Sequence, residues 1–91
     1  MLKERRFFKE NDADEAQRTR VMDIIKTHLS DHEGISFAYV HGSFAEGLRF
    51  RDIDVALFFD APFNRLDVES DLSYELLTKT DYPVEVRIIN D

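Results

Sequence analysis

Ninety-one residues leave room for one small domain. Hydrophobic residues make up 43% of the chain, enough for a core, while a net charge of −7 disfavours a plain nucleic-acid-binding module, which needs a basic face. The absence of cysteine excludes a disulfide framework and a thiolate zinc site, and no apolar run approaches the ~20 residues of a membrane span, so a cytoplasmic protein is expected.

The start, Met1-Leu2-Lys3-Glu4-Arg5-Arg6, lacks the apolar stretch of a secretory signal. Residues 1–11 carry four basic residues around Phe7-Phe8 and read as a loosely ordered arm. Asp12 is a candidate N-cap, and Glu15, three residues on, completes a capping-box pattern. Val21, Ile24, Ile25, His28 and Leu29 follow at helical spacing, and Gly34 suits a C-terminal cap, so a helix is predicted over about 13–32. Gln17, Arg18 and Arg20 make its first half look solvent-facing. His28 and His32 stand four apart, as in a paired-histidine metal site, but Leu29 occupies the place of that motif's glutamate. A helix end favours histidine on dipole grounds alone, and that is the preferred account.

Ile35–His41 is β-branched and aromatic between two glycines and predicts a strand. Gly42-Ser43 ends it. Phe44-Ala45-Glu46 reads as one helical turn that Gly47 stops, and Leu48–Arg51 as a loop. Asp52–Phe59 predicts a second strand, so apolar after Asp54 that both faces are expected to be buried. Asp60-Ala61-Pro62 breaks the chain. A second helix is predicted over about 64–79, with Val68, Leu72 and Leu76 in one row. Asp81-Tyr82-Pro83 is another break, and Val84–Ile89 predicts a third strand. The fold class is therefore α/β (α+β): a small mixed three-stranded sheet flanked by helices, with 1–91 as a single domain.

Alternation along a strand puts Asp52 and Asp54 on one face, about 6–7 Å apart. Carboxylates that close repel, and one tends to keep a proton unless a cation intervenes. The second strand, second helix and third strand form a unit suited to a right-handed crossover, which makes those strands parallel. Glu85 then lies at the same sheet end as Asp54. The first strand, joined by a short segment, is expected to run antiparallel and to bring Gly42-Ser43 to that end. A glycine turn entering a helix offers backbone N–H groups to an anion, and the serine adds a hydroxyl. Hard oxygen donors beside a polyphosphate cradle suit Mg²⁺.

Gly42-Ser43, then Asp52-Ile53-Asp54, then Glu85 in an apolar strand resembles the signature of the DNA polymerase β-type nucleotidyltransferase superfamily. The Gly-Ser-Phe-Ala-Glu-Gly run and the small size are similar to its minimal nucleotidyltransferases (MNT). The resemblance covers roughly 35–90. It implies transfer of a nucleoside monophosphate, AMP from ATP by likeness to the antitoxins of this kind, to a hydroxyl with release of pyrophosphate. It implies that Gly42 and Ser43 hold the triphosphate, that Asp52 and Asp54 bind Mg²⁺, and that Glu85 completes the metal site and helps activate the hydroxyl. It also implies a helical HEPN-type toxin as partner, with this chain as antitoxin. A competing expectation is a transferase-like module that neutralises its partner by contact alone. Three features depart from the pattern. The eight residues between Ser43 and Asp52 make a shorter loop than is usual. Arg51 replaces a serine and is assigned to phosphate or carboxylate contact. The third acid is Glu rather than Asp. Three strands and two long helices do not close a full core, so exposed apolar surface and a homo-oligomer or protein partner are expected.

Overall fold

The structure is a computed structural model and describes residues 10–60 and 62–90. The elements run α1 (Glu15–Ser30), β1 (Ile35–His41), α2 (Gly42–Ala45), β2 (Ile53–Phe59), α3 (Arg65–Thr80) and β3 (Val84–Ile88). All six were expected, with ends shifted by one or two residues. Most of the expected arm, residues 1–9, lies outside the described residues. Asn11, its last residue, makes an antiparallel bridge with Phe50.

The cap of α1 differs from expectation. Asp14, not Asp12, is the N-cap; its carboxylate accepts from the Gln17 N–H at 2.8 Å, while Gln17 Oε1 accepts from the Asp14 N–H at 2.9 Å. The helix ends on Asp31, three residues before Gly34. Asn64 caps α3, accepting from the Asp67 N–H, and Asp81 ends it in the left-handed conformation at φ 67°.

The sheet order is β1-β2-β3, with β1 antiparallel and β3 parallel to β2. The crossover through α3 is the reason for the parallel pair. Val21, Ile25 and Leu29 of α1 and Leu72 and Leu76 of α3 bury against Ile53, Val55, Leu57 and Phe59 of β2 and the apolar side of β3. The helical row Val68, Leu72, Leu76 therefore faces the core as its spacing predicts, though Val68 sits at the margin.

Burial of β2 on both faces is corrected. The core side is shut, but the opposite side alternates Asp54, Ala56 and Phe58, flanked by Phe37, Tyr39 and His41 of β1 and Glu85 and Arg87 of β3. Phe37 and Tyr39 are each half exposed, and Phe37 stacks on Phe58 at 4.4 Å. Part of the expected exposed apolar surface lies here; Leu66, Tyr74 and Leu77 of α3 are exposed as well.

Side chains of α3 close the outer edge of β3. The Val86 N–H donates to Ser73 Oγ at 3.1 Å and the Ile88 N–H to Glu69 Oε2 at 2.8 Å. Arg65 Nη1 donates to the Ile88 carbonyl at 2.6 Å. Among the described residues, no helix is long and apolar enough to cross a membrane.

Candidate active site

The site is built on strand register. Asp54 is paired with His41 of β1 on one side and with Glu85 of β3 on the other. Gly42 and Ser43 follow His41 directly and open α2. Three strand ends thus deliver His41, Asp54 and Glu85 in a row, with the glycine turn beside them; the crossover argument predicts Asp54 level with Glu85, whereas His41 is not anticipated.

Gly42 has φ 82°, a conformation that L side chains rarely adopt. A Cβ there would come within 3.4 Å of Asp54 Cγ and overlap Asp54 Oδ2. The backbone of the turn and the carboxylate of β2 are therefore in direct contact, which only a glycine permits. The first amides of a helical turn have no carbonyl of that helix to bond, so Ser43 and its neighbours present donors at the strand end.

Burial is the main reason the Asp54 carboxyl is pushed above its ordinary value of 3.8. The charge on His41 opposes this; the negative charges of Glu85 and Asp52, and a hydrogen bond with Glu85, add to it. Among the charges that raise it, that of Glu85 contributes more than that of Asp52.

Asp52 is not in the strand. It occupies the bend before Ile53 and is exposed, as is Arg51. The Arg51 carbonyl lies 3.4 Å from Asn11 Nδ2. The Glu85 carboxylate is turned along its own strand, where Oε2 accepts from Arg87 Nη2 at 2.9 Å. Consequently no group of three or more His, Cys, Asp or Glu side chains is gathered to hold a metal ion among the described residues. The backbone places the three acids at one sheet end; Asp54 and Glu85 interact, whereas Asp52 sits outside the strand pairing.

Arg18 has a role its position in the sequence does not suggest. Instead of facing solvent, it donates to the carbonyls of Ala13 at 2.8 Å, Phe44 at 2.8 Å and Leu48 at 2.9 Å. Its guanidinium lies 5.2 Å from the Phe44 ring centroid and 5.5 Å from that of Phe50. A cation at the carbonyl end of α2 holds that single turn, and with it the Gly42-Ser43 end, against α1.

The two histidines are engaged separately. His28 Nε2 lies 2.7 Å from Glu75 Oε1, and its Nδ1 lies 2.9 Å from Lys79 Nζ, tying α1 to α3. His32 Nδ1 bonds the Glu33 carbonyl, and its ring packs edge-on to Phe59.

Residues 23–91 match the family described as Polymerase beta, Nucleotidyltransferase. Comparison with curated protein sequences gives no match. Two solved structures are similar in fold. One is the crystal structure of a mutant toxin–antitoxin pair, MntA–HpeT, with a TM-score of 0.60 and 22% identity over 74% of this chain and 54% of that chain. The other is a tri-AMPylated Shewanella oneidensis HEPN toxin in complex with MNT antitoxin, with a TM-score of 0.57 and 20% identity over 80% of this chain and 56% of that chain. This chain therefore spans about half the length of the chains it resembles.

Proposed function

This chain belongs to the Polymerase beta, Nucleotidyltransferase family, and on that premise we propose that it transfers AMP from ATP to a hydroxyl of a HEPN-type helical partner, as the antitoxin of a toxin–antitoxin pair. The observation that carries the reading is the register that sets Asp54 between His41 and Glu85, with the Gly42 turn against its carboxylate. The two fold relatives, one with a HEPN toxin carrying AMP groups, support the choice of nucleotide and partner.

The donor set suits Mg²⁺. Asp52, Asp54 and Glu85 offer hard oxygens; burial first, and then the charges of Glu85 and Asp52, push the Asp54 carboxyl up, and a divalent cation would offset the part that comes from those charges. When bound there, Mg²⁺ supplies charge neutralisation on the transferring phosphoryl group. The chain's own residues do the rest. Gly42 and Ser43 receive the triphosphate on backbone N–H groups and a hydroxyl, and Arg51, exposed at the loop end, adds a positive charge. Glu85 accepts the proton of the acceptor hydroxyl as its oxygen attacks the α-phosphorus. The bond to the bridging oxygen breaks and pyrophosphate leaves.

One observation favours the competing reading, a module that neutralises its partner by contact alone: the three acid side chains are not gathered. Incubation with labelled ATP, Mg²⁺ and the partner separates the two. Label transferred by the wild type and lost in Asp52→Ala and Asp54→Ala supports catalysis. No transfer, or transfer unchanged in both variants, leaves the contact module.

A further inference from the structure

β1 lies at the margin of the sheet, and among the described residues nothing bonds to the backbone groups of its outer edge. A bare strand edge pairs with further strands unless charge, proline or a bulge blunts it. Phe37–His41 contains no Asp, Glu, Lys, Arg or Pro, and the irregularity of register lies before it, between Ile35 and Phe37. These five residues alternate. Phe37, Tyr39 and His41 share the open face, and Ala38 and Val40 pack towards the core. The order of aromatic and small aliphatic side chains is the same in both directions, so the segment is complementary to an antiparallel copy of itself. Beside it, a groove of about 450 Å³ opens between β1 and α1, lined by Met22, Asp23, Lys26, Leu29, Ala38 and Val40. Its wall on α1 carries one acid and one base about a turn apart, and Met22 is exposed there.

We propose that a second copy of this chain pairs its β1 with this one, antiparallel, about a two-fold axis at Tyr39. Two three-stranded sheets then become one continuous sheet. Tyr39 faces its own mate, each Phe37 faces a His41, and each Ala38 faces a Val40. The aromatic pairs continue the stack of Phe37 on Phe58 across the junction. On the helix side the axis exchanges the ends of the two grooves, so Lys26 of each copy comes opposite Asp23 of the other, and Met22 is covered. The net charge of −7 on each copy opposes association, but none of it lies on Phe37–His41, and salt screens the rest. The open face with Asp54 stays uncovered, so the inference does not rest on the transfer reading.

The chain has no cysteine, which makes cross-linking a direct test of the pairing and its register. In the full chain, Tyr39→Cys puts one thiol at the axis, where facing Cα atoms of an antiparallel pair stand about 4.5–5.5 Å apart, within disulfide range. Phe37→Cys lies on the same face, but its own mate is about 13 Å away along the facing strand, out of range. Both side chains are half exposed, so replacement leaves the core intact. Under mild oxidation Tyr39→Cys should form a disulfide dimer and Phe37→Cys should not. In sedimentation equilibrium the wild type should dimerise reversibly. Tyr39→Lys, which sets like charges opposite each other, should weaken the dimer about ten-fold. Leu66→Lys, at an exposed position on α3, should leave it unchanged. Circular dichroism checks that every variant is folded. A wild type monomeric at every concentration overturns the proposal, and so do equal cross-linking of the two cysteine variants and undiminished dimerisation of Tyr39→Lys. A monomer whose β1 amides resist hydrogen exchange assigns the edge to the chain's own residues 1–9, and protection that arises only with the HEPN-type partner assigns it to that partner; either result also overturns self-pairing.

Discussion

Replacing Gly42 with alanine perturbs the tightest contact in the site. The backbone there has φ 82°, and an L residue in the left-handed region costs roughly 1–2 kcal/mol. The new Cβ also overlaps Asp54 Oδ2, so the carboxylate has to turn off its rotamer, at roughly 0.5–1.5 kcal/mol more. Gly47 supplies the control. Its φ is 80°, almost the same, but a Cβ added there meets nothing within 4 Å. Gly47→Ala should therefore lose only the backbone share. In a domain of this size each kcal/mol lowers Tm by about 4–8 °C, so thermal melting resolves the two variants. The decisive measurement is Mn²⁺ or Mg²⁺·ATP affinity: Gly42→Ala should lose it because Asp54 is displaced, whereas Gly47→Ala should retain it. Equal melting temperatures and equal affinities in the two variants would refute the claim that the turn and Asp54 are built against each other.

Arg18→Met should destabilise the domain by about 2–4 kcal/mol in urea denaturation, since three carbonyls lose a charged donor that is 85% covered, given its side-chain exposure of 15%; a loss under about 0.5 kcal/mol, the range of ordinary surface changes, would show that the guanidinium does not organise α2. Asp54→Asn should raise Tm at pH 7. A carboxyl pushed up by folding holds its proton more tightly in the folded state, so its ionisation lowers stability as pH rises through the folded value; the amide removes that loss, and the gain should fade as pH falls towards 3.8. A gain that persists unchanged at low pH would contradict the assignment.

Much of the arrangement was legible because strand pairing is a strong constraint. Once β2, α3 and β3 are recognised, the crossover rule makes the strands parallel and brings Glu85 level with Asp54. Hydrophobic spacing likewise located Leu72 and Leu76. What could not be read depends on where side chains point. Asp12 with Glu15 and Asp14 with Gln17 are both sound capping patterns, and only the packing of Ala13 and the bonding of Arg18 to its carbonyl favour the second. Arg18 looks like an ordinary exposed residue because its partners, Phe44 and Leu48, are 26 and 30 residues away. The turn of Glu85 towards Arg87 was hinted at by their spacing, but a spacing of two fits a wet strand face equally well. The apolar run of β2 suggested two covered faces because it is unbroken after Asp54, yet on its second face Ala56 is buried while Asp54 and Phe58 are half-buried.

The plugging of β3 by Ser73, Glu69 and Arg65 gives the sheet a direction of growth. A visiting strand that sought to pair with β3 would have to evict three side chains already bonded to its outward amides and carbonyl. Lateral extension on that flank, whether by a partner or by aggregation, is thereby discouraged. Any additional strand must be accommodated alongside β1, so the architecture leaves a single flank for enlargement.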